Sequence, residues 1–142
     1  MATRREQIIL AVIAKLATLI SLPAGRVFRS RETAITRGES PCVVVQKKSE
    51  PPPDICNVAE MHLGFVIEVY TRGENGEADA DPIENEIHAL LMADRTLSGA
   101  CLLLNADGTD WEGADADQPA HRTLMSFSAM YRVEPENLSE PA

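Results

Sequence analysis

Residues 61–72 read MHLGFVIEVYTR, and the alternation inside them decides the fold. Leu63, Phe65, Ile67 and Val69 take every second position. His62, Gly64, Val66, Glu68 and Tyr70 fall between them. A period of two puts the first set on one face of a strand, and so apolar a face has to be covered. The sequence on either side supplies the cover. Downstream, residues 73–80 (GENGEADA) read as a turn. Asp81 is then placed as an N-cap, with Pro82 at the first helical position and Glu84 three residues past the cap. Ile83, Ile87, Leu90 and Leu91 recur at helical spacing, and the helix is expected to end near Asp94. Residues 101–104 form a strand that continues irregularly toward Trp111. A last strand is expected over 120–133, with Met125, Phe127, Ala129, Tyr131 and Val133 on its apolar face. Residues 134–142 read as a loose tail.

Upstream, Pro51, Pro52 and Pro53 cannot donate ladder hydrogen bonds, so residues 49–59 are expected to be an exposed, stiff loop. The β-branched run from Cys42 to Val45 opens a strand reaching about Lys48. Residues 31–40 are polar and turn-like, and Val27 and Phe28 begin a short strand. Residues 4–20 read as an amphipathic helix ended by Pro23. Ile8, Ile9, Val12, Ile13, Leu16, Leu19 and Ile20 share its apolar face, and Thr3 with Glu6 forms a capping box. The basic start and apolar run superficially suggest a signal peptide. Lys15 in the middle, the interrupting Glu6 and Gln7, and a run short of the roughly 20 residues that span a bilayer argue for a core-packed helix made in the cytoplasm.

The element order is therefore α-β-β-β-α-β-β. Two amphipathic helices cannot cover both faces of a five-stranded sheet. They are expected to pack on one face of a mostly antiparallel sheet, giving a two-layer α+β domain over residues 1–133, with the tail at 134–142. Consecutive strands are expected to pair antiparallel.

At 142 residues with 25% charged side chains, the chain is long enough for a real core without disulfides. Its net charge of −9 disfavours tight nonspecific binding to nucleic acid and docking on anionic lipid. The charge is unevenly spread. Residues 1–50 hold nine basic and four acidic side chains (+5), whereas residues 51–142 hold four basic and eighteen acidic (−14). Either the halves interleave in space and the polarity vanishes, or copies of the chain meet plus patch on minus patch.

No constellation points to catalysis or a cofactor. The sequence has no GxSxG, GxxxxGK[ST], HExxH or GxGxxG. Cys42, Cys56 and Cys101 are an odd number without a CxxC pair. Cys42 and Cys101 read as buried thiols, and His62, His88 and His121 lie too far apart in sequence to suggest zinc. Residues 105–112 resemble a calcium loop only loosely, because Gly108 falls fourth rather than sixth, and they read as a solvated acidic loop. Asp79, Asp81, Glu84 and Glu86 have a simple role beside the dipole of a helix N-terminus. Six aromatic residues are too few for a base-stacking platform. Trp111 stands in a charged stretch, either as an exposed protein contact or as a partly buried anchor.

Taken as a whole, the layout resembles a known family. An amphipathic first helix is followed by VFRSRETAITRGESPCVVVQ (27–46), HLGFVIEVYTRGENGEADADPIENEIHALLMADRTLSG (62–99) and GTDWEGADADQPAHRTLMSFSAMYRV (108–133). This pattern resembles the tail terminator (minor tail protein U-like) proteins of long-tailed bacteriophages and prophages. The resemblance covers about residues 4–133. It lies in the element order, the strand end Tyr70-Thr71-Arg72-Gly73, the helix exit around Leu91–Asp94 with Leu97 and Gly99, and a Trp loop with Gln118, Pro119 and Ala120 before the last strand.

The resemblance implies an α/β domain with a mostly antiparallel sheet and two helices on one side. It also implies a hexameric ring that caps the tail tube, stops its growth and presents a surface to the head-completion protein. No catalytic residue, metal or cofactor belongs to the family. The implied partners are further copies of the chain, tail tube protein and head-completion protein, without specific nucleic-acid binding or membrane association. The protein is expected to be monomeric in dilute solution if the tube closes the ring. The implied location is the host cytoplasm during assembly and then the tail–head junction of the virion. The residues themselves suggest a contact of Arg29, Arg31 and Arg37 with Asp79, Asp81 or Asp115 of a neighbour, with Trp111 as a further interface residue. Two other readings stay open. One is a different head–tail connector or neck protein; the other is a small cytoplasmic α+β enzyme or ligand-binding domain, which a deep apolar pocket with converging polar groups would mark.

Overall fold

The structure, a computed structural model, describes residues 2–29, 40–114 and 120–141. Its first element is α1 (Arg4–Leu16), which turns Ile8, Ile9, Val12 and Leu16 into the core. Thr3 caps it, its hydroxyl accepting from the Glu6 amide at 3.2 Å. The capping box is only half made, because the Glu6 carboxylate bonds Arg29 and Lys47 rather than turning back on Thr3.

The helix ends at Leu16, four residues short of the expected 20. The Thr18 hydroxyl donates to the Lys15 carbonyl at 2.7 Å, and the Thr18 and Leu19 amides reach back only three residues, to Lys15 and Leu16. Tighter i→i+3 bonds of this kind commonly finish a helix. Leu19 and Leu22 then fold into the core, while Ile20, expected on the apolar face, is 91% exposed. The Glu86 carboxylate holds this turn, accepting from the Ile20 and Ser21 amides at 2.9 Å each and from the Ser21 hydroxyl. Glu86→Ala is expected to cost about 1 kcal/mol, the usual scale of a lost cap. The check is a lower urea midpoint with an unchanged slope.

Among the described residues, seven strands make one sheet: β1 (Val27–Arg29), β2 (Cys42–Ser49), β3 (Asp54–Ile55), β4 (Ala59–Arg72), β5 (Leu103–Ala114), β6 (Ala120–Glu134) and β7 (Asn137–Pro141). Five of them follow the path β1-β2-β4-β6-β5. The short β3 pairs with β4 and β7 pairs with β6. The expected five-stranded layout is therefore present with two additions. Part of the loop at 49–59 is β3, and residues 137–141 of the expected loose tail form β7 beside Val133 and Glu134. Every pairing among the described strands is antiparallel except β1 with β2, which runs parallel (Val27↔Val43), against the expectation for consecutive strands.

The second helix, α2 (Gly76–Ala93), starts six residues before the expected position, within the stretch 73–80 read as a turn. Asn75 is its N-cap, and Asp81 and Pro82 lie inside it. Gly76 permits that entry. A Cβ there would stand 2.9 Å from His121 Cβ and 3.2 Å from the Thr71 hydroxyl, which itself donates to the Gly76 carbonyl at 2.7 Å. Ile83, Ile87 and Leu91 point into the core as their spacing requires.

Both helices cover the same sheet face, giving the two-layer α+β arrangement. Leu63, Phe65, Ile67 and Val69 of β4 meet Met125, Phe127, Ala129 and Tyr131 of β6 there, in register from Leu63↔Ala129 to Ile67↔Met125. The Phe65 and Phe127 rings stack with centroids 5.7 Å apart.

β5 carries a bulge at Asp107, between Ala106↔Phe127 and Gly108↔Ser126, with Gly108 at φ +124°. The turn between α2 and β5 is held by Asp94, which accepts from the Ser98 amide at 2.9 Å and pairs with Lys15 of α1 at 2.9 Å.

Candidate interaction surface

The sequence proposes a basic patch and an acidic patch. Arg29, at the end of β1, does not stand free. Its guanidinium donates to Glu6 of α1 (Nη2–Oε1 2.6 Å), and Lys47 of β2 reaches the same carboxylate at 3.3 Å. The Arg29 hydrogen bond first, and Lys47 next, hold the Glu6 carboxyl at about 2, down from its ordinary 4.5. The triad is therefore an internal tie between helix and sheet. A depressed carboxylate contributes stability that is present above its unfolded value and is lost as pH falls toward its folded value. Glu6→Gln should accordingly cost stability at about pH 5 and much less at about pH 2, as urea midpoints at the two pH values will show.

One residue before Glu6 on α1, Arg5 pairs with Glu50 at 2.7 Å, and Glu50 accepts from the buried Tyr131 hydroxyl at 2.6 Å. Burial, followed by the Glu50 bond, pushes the Tyr131 phenol up to about 12. A raised phenol keeps its proton while the unfolded chain ionises, so stability should fall as pH rises from about 10 to 12.

The acidic side is a groove. Glu74, Asn75, Glu77, Ala78, Asp81 and Glu84, from the start of α2, face Trp111 of β5 across a space of about 590 Å³. Trp111 is 57% exposed, yet its indole N–H donates to Glu84 at 3.0 Å, so the ring is both held and open to solvent. This combines the two alternatives left by the sequence. Asp81 lines the groove; Asp79 is exposed on α2 but does not line it. Arg31, Arg37 and Asp115 lie outside the described residues. Within one chain, then, the structure brings Asp81 and Trp111 together and sends Arg29 to a different partner. Glu74 and Glu77 join the groove without a sequence cue; the sequence marks Glu84 only as an acid beside the helix dipole, and its bond to Trp111 spans 27 positions.

The sheet face away from the helices carries a second polar system. Glu68, buried on β4, accepts from the Tyr70 hydroxyl at 2.7 Å and faces Arg122 of β6 at 3.8 Å. Arg122 also bonds Glu112 of β5. Hydrogen bonds to Tyr70 and Glu112 raise the Arg122 pKa, so the guanidinium is a fixed charge. Beside it lies a shallow trough of about 310 Å³ floored by Val66, Leu124 and Ser126, with Lys47 and Lys48 on one bank and Asp110 on the other.

None of these places assembles a nucleophile with a base. Among the described residues, no group of three or more His, Cys, Asp or Glu side chains could hold a metal ion. Cys42 and Cys101 are buried as expected, Cys56 is exposed, and burial pushes the Cys101 thiol up to about 11. No helix among the described residues is long and apolar enough to cross a membrane. The chemistry on offer is that of a contact surface: fixed charge, an anchored indole and an open strand edge.

No family model and no curated protein matches the sequence. Among solved structures, the fold is similar to a chain in the virion of the native gene transfer agent particle. The TM-score is 0.59 at 16% identity, over 85% of this chain and 91% of that one.

Proposed function

We propose that this chain is a structural component of a phage-like particle and, within it, a tail terminator. The observation that carries the reading is the shared fold with the gene transfer agent virion chain over nearly all of that chain. The layout of the sequence, similar to tail terminators across residues 4–133, supports the narrower assignment. In this reading copies of the chain close a ring, expected to be a hexamer, on the last ring of the tail tube. The ring stops tube growth and offers its other side to the head-completion protein. The work is done by shape and charge, without turnover of a substrate. An overall charge of −9 suits a ring through which DNA passes, because like charge discourages adhesion. Assembly takes place in the host cytoplasm and the finished ring sits at the tail–head junction.

The test is electron microscopy of the purified chain mixed with growing tail tubes. A distinct ring at one end of tubes of uniform length is expected. Tubes that overgrow as they do without the protein overturn the reading, and rings that bind only head complexes would make it a neck protein instead.

A further inference from the structure

β5 is the last strand of the sheet order, and its inner side pairs with β6 along its length. On the outer side, Arg95 engages only its start: the Leu104 amide donates to the Arg95 carbonyl at 2.8 Å, and the Arg95 guanidinium donates to the Leu104 carbonyl at 2.9 Å. Among the described residues no strand lies beyond it. An unpaired edge is a template for another extended chain.

The two sides of this edge differ in charge. Trp111 lies opposite Thr123, on the helix side of the sheet, and faces the first turns of α2 across the groove. Among the described residues no cation lines that groove, and Glu74, Glu77 and Asp81 have no charged partner. No three acids among the described residues converge as ligands of a metal ion would, so the groove suits an extended cation rather than a point charge. Glu77, Asp81 and Glu84 extend over about 10 Å of helix at 1.5 Å per residue, enough to meet two same-side residues of a strand. The opposite side is balanced. Asp110 and Glu112 fall there, opposite Leu124 and Arg122; Arg122 bonds Glu112, and Lys48 lies across the trough from Asp110.

The indole narrows the choice of cation. Its N–H is held by Glu84 while the ring stays 57% exposed. A guanidinium laid on the ring gains cation–π attraction and keeps its planar fork for the carboxylates beside it, which an ammonium cannot match.

We infer that the outer edge of β5 is the docking strand for a different protein, one that supplies an extended segment with arginine at alternate positions. The segment adds to the sheet beside β5. Its arginines enter the groove between Trp111 and α2, and the residues between them, on the balanced side, are uncharged. Two β5 edges placed together would set Asp107, Asp110 and Glu112 against their own counterparts, and Arg29 and Lys47 are already bound to Glu6, so a second copy is a poor occupant. This docking goes beyond the proposed function and does not depend on it.

Trp111 is the single tryptophan of the chain, so its fluorescence reports on this site alone. The probe is a peptide of alternating Arg and Thr, about ten residues long to match a strand, titrated into the full chain at physiological salt. A saturable change in Trp111 fluorescence is expected, with slowed hydrogen exchange over 103–114. A peptide of the same composition with its arginines consecutive lacks the one-sided pattern, and a fully N-methylated alternating peptide cannot pair with the edge. Each should bind at least about tenfold more weakly. The double variant Glu77→Gln, Asp81→Asn, at exposed positions, should also bind the alternating peptide at least about tenfold more weakly at an unchanged melting temperature. The peptide controls make the same test on the wild-type chain.

Alternating and consecutive peptides that bind alike overturn the inference, as does spermidine that reproduces the fluorescence change at the same concentration, since either reduces the site to charge alone. Exchange slowed only outside 103–114, or no fluorescence change up to about 1 mM peptide, overturns it too. Self-association of the chain that by itself shields 103–114 assigns the edge to a second copy and equally overturns it. None of these measurements involves tail tubes, so failure here leaves the proposed function standing.

Discussion

Phe127→Ala is expected to lower the stability of the protein by about 3–5 kcal/mol, the range for truncating a buried phenylalanine. Phe127 lies directly opposite Phe65 in the β4–β6 register, and the two rings stack at 5.7 Å under both helices. Removing one ring forfeits its transfer free energy and strips the other of its stacking partner, itself about 0.5–1.5 kcal/mol beyond area. The surrounding strands are tied along 14 consecutive β4–β6 pairs, so they cannot collapse into the space. The loss should appear as a melting temperature lower by about 10 °C, at 2–4 °C per kcal/mol for a chain near this size. Ile20→Ala is the control. Both substitutions remove apolar atoms, but Ile20 is 91% exposed and its truncation should change stability by less than about 0.5 kcal/mol.

Pro82→Ala is expected to act with the opposite sign, stabilising the protein by about 1–3 kcal/mol. Pro82 is the seventh residue of α2 and has no N–H for the Ala78 carbonyl four residues back. Alanine restores that bond and removes the ring from the preceding turn. It also frees the unfolded chain, which returns about 0.4–1 kcal/mol of the gain. Thermal unfolding at fixed pH reads the difference directly. A drop in melting temperature would mean that the proline is needed to shape the entry of α2 over Gly76 and Trp111.

The same proline explains where sequence reasoning stopped. The pair Asp81–Pro82 has the chemistry of a helix start, yet α2 begins at Gly76, because a tertiary contact with Thr71 and His121 admits only glycine at that point. Local pattern was sufficient where burial is periodic: β4 and β6 alternate as their residues dictate, and Thr3 caps α1 as its side chain allows. It was insufficient where a distant group decides. Ile20 fits the apolar stripe of α1, but Glu86, 66 residues away, holds the backbone in a turn that turns it outward. The short β3 and β7 are too brief to show a period; they exist because β4 and β6 extend past their neighbours and offer free edge. At the candidate surface, the acidity and exposed indole were legible, whereas the Trp111–Glu84 bond and the Arg29–Glu6 tie follow from strand order and helix placement that no local window contains.

The bulge at Asp107 sets the phase of everything after it on β5. Because side chains alternate with period two, running the register of Leu103–Ala106 on without that extra residue would set Asp110 opposite Thr123, beneath the helices, and Trp111 opposite Arg122, on the other side of the sheet. One residue in excess of what the β6 partner needs therefore decides which side of the sheet receives the ring and which the carboxylate.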